Sequence, residues 1–172
     1  MMNKNTTYAL VAVVVIIIVV AVVAGAYVLM NPSGGGENTY TVANATSLQY
    51  DADVTAQGTT ITYKFAGINL GTSNLTIRVD LLGGEAGNFS YILNGGEQKA
   101  WAKTDSTWTD VSSDFTNQWA GWGTEWTNNV NALGAWTTGS GDVTYTNANG
   151  DSILIYNISL NPTLADSLFQ PS

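Results

Sequence analysis

The feature that most limits what this chain can fold into is an uncharged apolar segment, "YALVAVVVIIIVVAVVAGAYVLM", from Tyr8 to Met30. Its 23 residues suffice for a helix that crosses about 30 Å of hydrocarbon with some tilt. A cleaved signal peptide has an apolar core of only about 7 to 15 residues, although the small residues Ala24, Gly25 and Ala26 also suit a peptidase. We therefore predict a retained transmembrane helix at residues 8–30.

The residues on either side of this segment indicate its orientation. Lys4 is the one basic residue near either end, and Glu37 follows on the far side. Basic residues favour the cytoplasmic side, which predicts a cytoplasmic tail at residues 1–7. The stretch "NPSGGGEN" then ends the helix at a proline and supplies a flexible linker at residues 31–38. Residues 39–172 are expected to form one extracytoplasmic domain in a single-pass membrane protein.

The composition of this domain excludes several classes of function. Beyond Lys4 the chain carries four basic and 13 acidic residues, a net charge of −9, which disfavours nucleic acid as a partner. The chain has no cysteine and no histidine, so disulfides, thiol nucleophiles, thiolate metal sites and histidine general bases are all missing. We expect no enzymatic activity, no cofactor and no metal site.

Five segments alternate between apolar and polar residues, the pattern of half-buried strands joined by short turns. Such consecutive strands predict an antiparallel meander. The apolar phases are Leu48, Tyr50, Ala52, Val54 and Ala56; Ile61, Tyr63 and Phe65; Leu75, Ile77, Val79 and Leu81; Phe89, Tyr91 and Leu93; and a fifth strand around Trp101.

The period then changes from two residues to steps of three and four. The members of this stripe are Trp108, Val111, Phe115, Trp119, Trp122, Trp126, Val130 and Leu133. Steps of this size place side chains on one face of a helix, which we predict to begin with Ser112 or Ser113 as N-cap and to end near Gly134. Its regularity favours burial of the stripe in the core.

Two further strands follow, one at Val143 to Tyr145 and one in "SILIYNISL", with an Asn149-Gly150 hairpin between them. The last strand is apolar on both faces, so it is expected to be central or covered by the helix. "NPTLADSLF" predicts a short closing helix with Asn161 as its cap and Pro162 in its first turn. The predicted fold class is α+β, a curved antiparallel sheet of about seven strands wrapped around one long amphipathic helix and preceded by the transmembrane helix.

The stretch "FSYILNGGEQKAWAK", from Phe89 to Lys103, resembles the strand-turn-strand of LolA-type lipoprotein carriers and related lipid-binding half-barrels. The chain as a whole also looks similar to membrane-tethered extracytoplasmic domains of archaeal type. The first resemblance implies a sheet wrapped around a helix and an apolar, lipid-like ligand held in the hollow. The second implies location at the cell surface.

The tryptophans give the candidate ligand site. If the sheet leaves one end of the helix stripe uncovered, Trp101, Trp108 and Trp119 are the residues we expect at that mouth, where they would bind lipid or sugar.

The acidic residues have weaker functional interpretations. "NANGD", Asn147 to Asp151, has oxygen ligands at alternate positions, but its glycine position fits a hairpin better than a calcium loop. Asp51 and Asp53 share one strand face and are candidates for helping to bind a cation. Asp105, Asp110, Asp114 and Glu125 are the candidates for a catalytic carboxylate pair, but caps and surface charges are the more common use of such residues.

Sequons for N-glycosylation occur at Asn44, Asn74, Asn88 and Asn157, with a fifth at Asn5.

Together the patterns predict a membrane-anchored extracytoplasmic binding domain whose partner is an apolar ligand or another surface protein. The alternative is a pilin-like structural subunit of a surface filament, with its N-terminal helix in the filament core. Against the alternative, "PSGGG" interrupts the helix that a pilin would continue.

Overall fold

The computed structural model describes residues 40–82, 88–104 and 106–172, and these form a curved antiparallel sheet wrapped on one helix, as predicted. The helical segment α1, at residues 112–132, lies between the sixth and seventh strands. The sheet has eight strands: β1 (Ser47–Ala56), β2 (Thr59–Ile68), β3 (Thr76–Leu82), β4 (Phe89–Asn94), β5 (Lys99–Thr104), β6 (Thr107–Asp110), β7 (Val143–Thr146) and β8 (Ser152–Leu160).

The strand order is β6-β5-β4-β3-β2-β1-β8-β7, with every pair antiparallel. The first five strands therefore form the predicted meander, and β6 extends it by one strand. β8 returns from the far end of the chain to pair with β1, which places it inside the sheet as its apolar sequence predicts. The Gln57-Gly58 turn joins β1 to β2 with both residues at positive φ, the geometry that matches the twist of a two-residue hairpin.

The sheet has a concave face, which packs on α1, and a convex face on the opposite side. Alternation along β1 to β4 sends the apolar residues to the concave face, so the predicted strand phases are confirmed. The buried core on this face contains Leu48, Tyr50, Ala52, Tyr63, Phe65, Ile77, Val79, Leu81, Phe89, Tyr91, Leu93, Ala100, Ile153 and Ile155 from the sheet, with Trp122, Trp126, Leu133 and Trp136 from and after the helix.

The predicted long helix is confirmed, and its geometry is irregular. The predicted N-cap at Ser112 or Ser113 is wrong, because both residues lie in the first turn, after Val111, and no side chain caps it. α1 begins with a 3-10 turn (Ser112–Asp114) and an α-helical turn (Phe115–Gln118), continues as a π-helix (Trp119–Gly123), and ends as an α-helix (Thr124–Ala132). The sequence of the π segment is "WAGWG", with two tryptophans, two glycines and one alanine. Trp122 within this segment and Trp126 one turn later both reach the core.

Trp108 departs from the prediction, because it lies in β6 and not in the helix stripe. β6 is an additional edge strand that pairs with β5, which is why the sheet has eight strands where about seven were expected. The step from Trp108 to Val111 fits a helix as well as an interrupted strand, and only the later members of the stripe distinguish the two.

The predicted closing helix with Asn161 as its cap is wrong. Asn161 has φ near 52° and turns back toward β1, where its Oδ1 accepts a hydrogen bond from the Thr46 backbone N–H at 2.8 Å. Helical geometry is limited to a 3-10 turn at Asp166–Phe169. Asn161 therefore bonds to a residue more than a hundred positions away in the chain instead of capping a helix.

Within residues 40–82, 88–104 and 106–172, no helix is long and apolar enough to cross a membrane. The predicted transmembrane helix at residues 8–30, the tail at 1–7 and the linker at 31–38 lie outside the described residues.

Candidate functional site

The structure brings two of the three candidate tryptophans together. Trp101 on β5 and Trp108 on β6 both point to the convex face, because Trp101 is paired with Ile92 and Asp110 while Trp108 is paired with Lys103. They are diagonal neighbours across two strands, and both are half-buried. Trp119 lies on the concave side in α1, where its ring stacks on Phe115 at 5.4 Å between centroids. The three therefore do not form one mouth.

Trp108 has two cations against its ring. The guanidinium carbon of Arg78 lies 5.7 Å from the ring centroid and the Lys103 ammonium lies 5.6 Å from it, both within cation–π range. Arg78 is held in place by Asp80, whose carboxylate accepts its Nε–H at 2.9 Å, and by the Leu168 carbonyl, which accepts from Nη1 at 2.9 Å. The convex face thus presents an ordered aromatic and cationic cluster in a domain whose net charge is strongly negative.

Asp51 and Asp53, also on the convex face, have donors from the chain itself. Asp51 accepts a hydrogen bond from Asn157 Nδ2 at 2.8 Å, and Asp53 accepts one from the Thr62 hydroxyl at 2.7 Å and one from the Tyr156 hydroxyl at 3.3 Å. Among the described residues, no three acidic side chains come together as a metal site. These aspartates join β1 to its two neighbouring strands.

The space between α1 and the sheet is filled by rings along most of its length. Tyr50 stacks on Phe65 at 5.0 Å, Tyr91 lies 5.0 Å from Trp122, and Trp126 lies 5.6 Å from Tyr50, all between centroids. Two glycines let the helix approach the sheet this closely, as a Cβ added at Gly67 would lie 2.4 Å from Trp126 Cη2. The Trp122 and Trp126 rings therefore belong to the core, as the periodicity predicts.

One end of this space is different, because it contains a small cavity beside a buried acid. The cavity measures about 20 Å³ and is lined by Val54, Tyr63, Trp122, Glu125, Asn147 and Asp151. It lies where α1 meets the β1–β2 hairpin and the β7–β8 hairpin. Its volume suits one group the size of a water molecule. We refer to it as the Glu125 cavity.

Glu125 is only 8% exposed as a whole residue, and no hydrogen bond or ion pair joins it to another residue that the structure describes. Its carboxylate oxygens are not among the fully buried unpaired atoms, so they keep some contact with solvent. Burial raises the pKa of its carboxyl above the usual 4.5, and the nearby Asp151 carboxylate raises it further. Burial likewise raises the pKa of Tyr63 to about 12, with a contribution from Glu125, so that this phenol is neutral at pH 7. The cavity therefore places two carboxyl groups in an apolar, aromatic surrounding.

Further buried polar groups adjoin the Glu125 cavity along the helix. Asn129 is fully buried, and its Oδ1 accepts a hydrogen bond from the Tyr145 hydroxyl at 2.7 Å. The Trp122 Nε1 has no hydrogen-bond partner among the described residues. The Tyr50 hydroxyl on β1 lies beside the Asn129 side chain, which lowers the pKa of Tyr50 against the larger effect of burial. Buried polar atoms are usually paired, so the unpaired Trp122 N–H is an unusual feature of the core.

The β7–β8 hairpin at the rim is organised by Asn147. Its Oδ1 accepts from the backbone N–H groups of Asn149 and Asp151 at 3.0 and 2.9 Å, and its Nδ2 donates to Asp151 Oδ2 at 3.0 Å. The hairpin that the sequence predicts at "NANGD" is confirmed. These bonds fix the Asp151 carboxylate at the cavity.

The other acidic candidates do not converge. Asp110 accepts a hydrogen bond from the Ser112 backbone N–H at 2.8 Å. The Ser112 side chain and then this backbone bond lower the pKa of Asp110. Asp114 accepts from the Asn117 and Gln118 side chains in the first turns of α1. Glu125 lies about 16 Å further along the helix, and Asp105 is outside the described residues.

The sequons of the domain differ in how available their amides are. Asn44, Asn74 and Asn88 are exposed at or beside turns, and Asn44 accepts the Thr41 N–H through Oδ1. Asn157 is exposed too, yet its Nδ2, the atom that a glycan would modify, donates to Asp51. Asn5 lies outside the described residues. Glycosylation at these positions stays a prediction.

The sequence analysis did not predict that Glu125 and Asn129 are buried between α1 and the sheet. The signal for them is present, because Trp122, Glu125, Trp126 and Asn129 are spaced by three, one and three residues on the same stripe. A polar residue in phase with buried tryptophans must itself be buried.

Comparison of the chain with protein-family models, with curated proteins and with solved structures finds no match.

Proposed function

We propose that the chain is a single-pass, membrane-anchored extracytoplasmic binding domain, without enzymatic activity, that recognises another surface protein through the convex face of its sheet. The observation that carries this proposal is the contact of Trp108 with Arg78 and Lys103, beside Trp101 on the convex sheet face. The apolar segment at residues 8–30 supports the anchor.

The composition of the convex face is that of a protein interface. Tryptophan and arginine are the residues most enriched among those that dominate binding energy. Here Arg78 is ordered by three partners before any ligand arrives, which lowers the entropy lost on binding. Leu82 adds an exposed apolar side chain to the same face, with 40% of its surface accessible.

The lipid-carrier function implied by the LolA-like stretch has less support. A carrier needs a hollow for an acyl chain, whereas the concave face here holds stacked rings from Tyr50 to Trp126. The Glu125 cavity is about the size of one water molecule and carries an acid at its wall. An apolar ligand would therefore have to displace the core.

Photocrosslinking in the native membrane tests the proposal. A benzophenone amino acid replaces Leu82 in the full chain, and a matched variant carries it at Tyr40, which is similarly exposed, at 47%. Tyr40 is the control because its neighbour Thr41 pairs with Thr137, in the segment that follows α1. We expect a discrete protein adduct from position 82 and none from position 40. Adding Trp108→Ala should reduce the adduct about tenfold, the effect of roughly 1.4 kcal/mol of binding energy.

Three outcomes would count against this function. Equal adducts from both positions indicate no preferred face, and adducts with lipid alone favour the apolar-ligand interpretation. Adducts between copies of this chain, with filaments in negative-stain images of the cell surface, would favour the pilin-like subunit.

A further inference from the structure

We propose that the Glu125 cavity is a binding site for a single alkylammonium group, either a lysine side chain of another protein or a free primary amine. The site is separate from the convex face, since its lining comes from the concave side of β1 and β2, from α1 and from the β7–β8 hairpin.

The first argument is the unpaired acid. Glu125 is more than nine-tenths buried as a residue, lines the cavity, and has no hydrogen-bond or ion-pair partner among the described residues. Its oxygens keep some contact with solvent, but a largely buried carboxylate that only solvent can satisfy is costly to hold in its charged form. A ligand that supplies positive charge at this position would remove that cost.

The second argument is the second carboxylate. Asp151 lines the same cavity and is held there by Asn147. Two carboxylates near one another repel, and a cation between them reverses the sign of that interaction. Hydrogen bonds to charged groups are stronger than those between neutral groups, so an ammonium is preferred over a neutral hydroxyl.

The third argument concerns the size and walls of the cavity. A volume of about 20 Å³ accepts one group of water size, which an ammonium matches and a quaternary ammonium exceeds. Tyr63 and Trp122 supply aromatic surface, and Val54 supplies aliphatic surface for a methylene stem. The combination of acid, aromatic ring and narrow apolar wall selects an alkylammonium over a hydrated metal ion.

The test uses the full chain in detergent micelles, labelled with ¹⁵N, at pH 7 and constant ionic strength. The probe is methylammonium, and the readout is the indole N–H resonance of Trp122, assigned by its loss in Trp122→Phe. Because this N–H is buried and unpaired at the cavity wall, its chemical shift reports on occupancy. We expect a saturable shift with methylammonium and at least tenfold weaker binding of tetramethylammonium.

Two isosteric variants and a charge-matched control keep the result interpretable. Glu125→Gln and Asp151→Asn should each weaken methylammonium binding at least tenfold while the other indole resonances stay in place. Asp166→Asn removes the same charge from an exposed turn and should leave the binding unchanged. Equal shifts in Glu125→Gln, or equal shifts with sodium or tetramethylammonium, would overturn the proposal.

The two sources of the ammonium are separated by two further probes. Nα-acetyl-lysine methylamide represents a lysine of a partner protein, and its Nε-acetylated form is the uncharged control. Tighter binding of the lysine compound than of methylammonium identifies a protein lysine, and the reverse order identifies a free amine. Binding of the Nε-acetylated form as tight as that of its parent would contradict an ammonium site.

Discussion

At the residue scale, the domain depends on glycines that accept tryptophan rings from the helix. Gly67 on β2 lies under Trp126, and Gly95 after β4 lies under Trp119, where an added Cβ would be 2.9 Å from Cη2. Trp119 also covers Gly123 in its own helix. The absence of a side chain is therefore what sets the distance between α1 and the sheet.

Replacing Gly67 by alanine should destabilise the domain, even though alanine is the better residue in a strand. The new Cβ would meet Trp126 carbons at 2.4 and 2.7 Å in the fully packed core, and overpacking of this kind costs about 1 to 3 kcal/mol. Urea denaturation of Gly67→Ala measures the loss.

Two controls accompany this variant. Gly96→Ala should cost less, because the nearest atom to its Cβ would be the exposed Asn74 Oδ1, which can rotate away, and the Asn74 Cα would be 3.3 Å off. Combining Gly67→Ala with Trp126→Phe should cost less than the sum of the two single changes. Strict additivity would show that the ring contact is not the cause.

Glu125 gives the stability of the domain a dependence on pH. Its pKa is raised in the folded state above the usual 4.5, first by burial and then by Asp151, and Tyr50, Tyr63 and Tyr145 also lie within its field. The folded protein therefore binds this proton more tightly than the unfolded chain. The resulting stabilisation is complete below pH 4.5 and is lost as the pH rises through the folded-state pKa.

Glu125→Gln should remove this loss. We expect the variant to match the wild type at pH 4 and to exceed it in free energy of unfolding at pH 7, measured by urea denaturation without added amine. Parallel stability curves for the two proteins between pH 4 and pH 7 would contradict the effect.

At the element scale, the sequence predicts what is decided locally. A shift of one residue moves a whole strand to the other face, so the alternation from Leu48 to Phe65 fixes the burial of β1 and β2. The stripe from Phe115 to Leu133 likewise fixes the buried face of α1, although the π segment at Trp119–Gly123 has no signal beyond its paired glycines.

The elements that the sequence does not predict are set by distant partners. β6 forms by pairing with the free edge of β5, and this pairing brings Trp108 into contact with Arg78 and Lys103 on the convex face. Asn161 turns back to Thr46 instead of capping a helix. The Glu125 cavity requires the meeting of α1 with two hairpins, and no local pattern describes such a junction.

At the scale of the whole molecule, the C-terminal segment covers one apolar part of the convex face. Ile92 points to this face, opposite Arg78 on β3, and yet it is completely buried. The 3-10 turn at Asp166–Phe169 packs against β3, Phe169 is buried, and the Leu168 carbonyl accepts the Arg78 hydrogen bond. The sheet therefore has a core on each side, a large one under α1 and a small one under the C-terminal turn.

Phe169→Ala tests whether this small second core stabilises the domain. Removal of a buried phenylalanine side chain should lower the free energy of unfolding by about 3 kcal/mol, because its apolar surface is lost from the interior and a cavity is left behind. Leu168→Ala is the matched control: its side chain is only half-buried and its carbonyl remains to bind Arg78, so a loss of about 1 kcal/mol is expected. Hydrogen exchange should accelerate at the amides of β3 and β4 in Phe169→Ala more than at those of β1. A loss below about 0.5 kcal/mol, typical of surface substitutions, would mean that the C-terminal turn rests on the sheet without stabilising it.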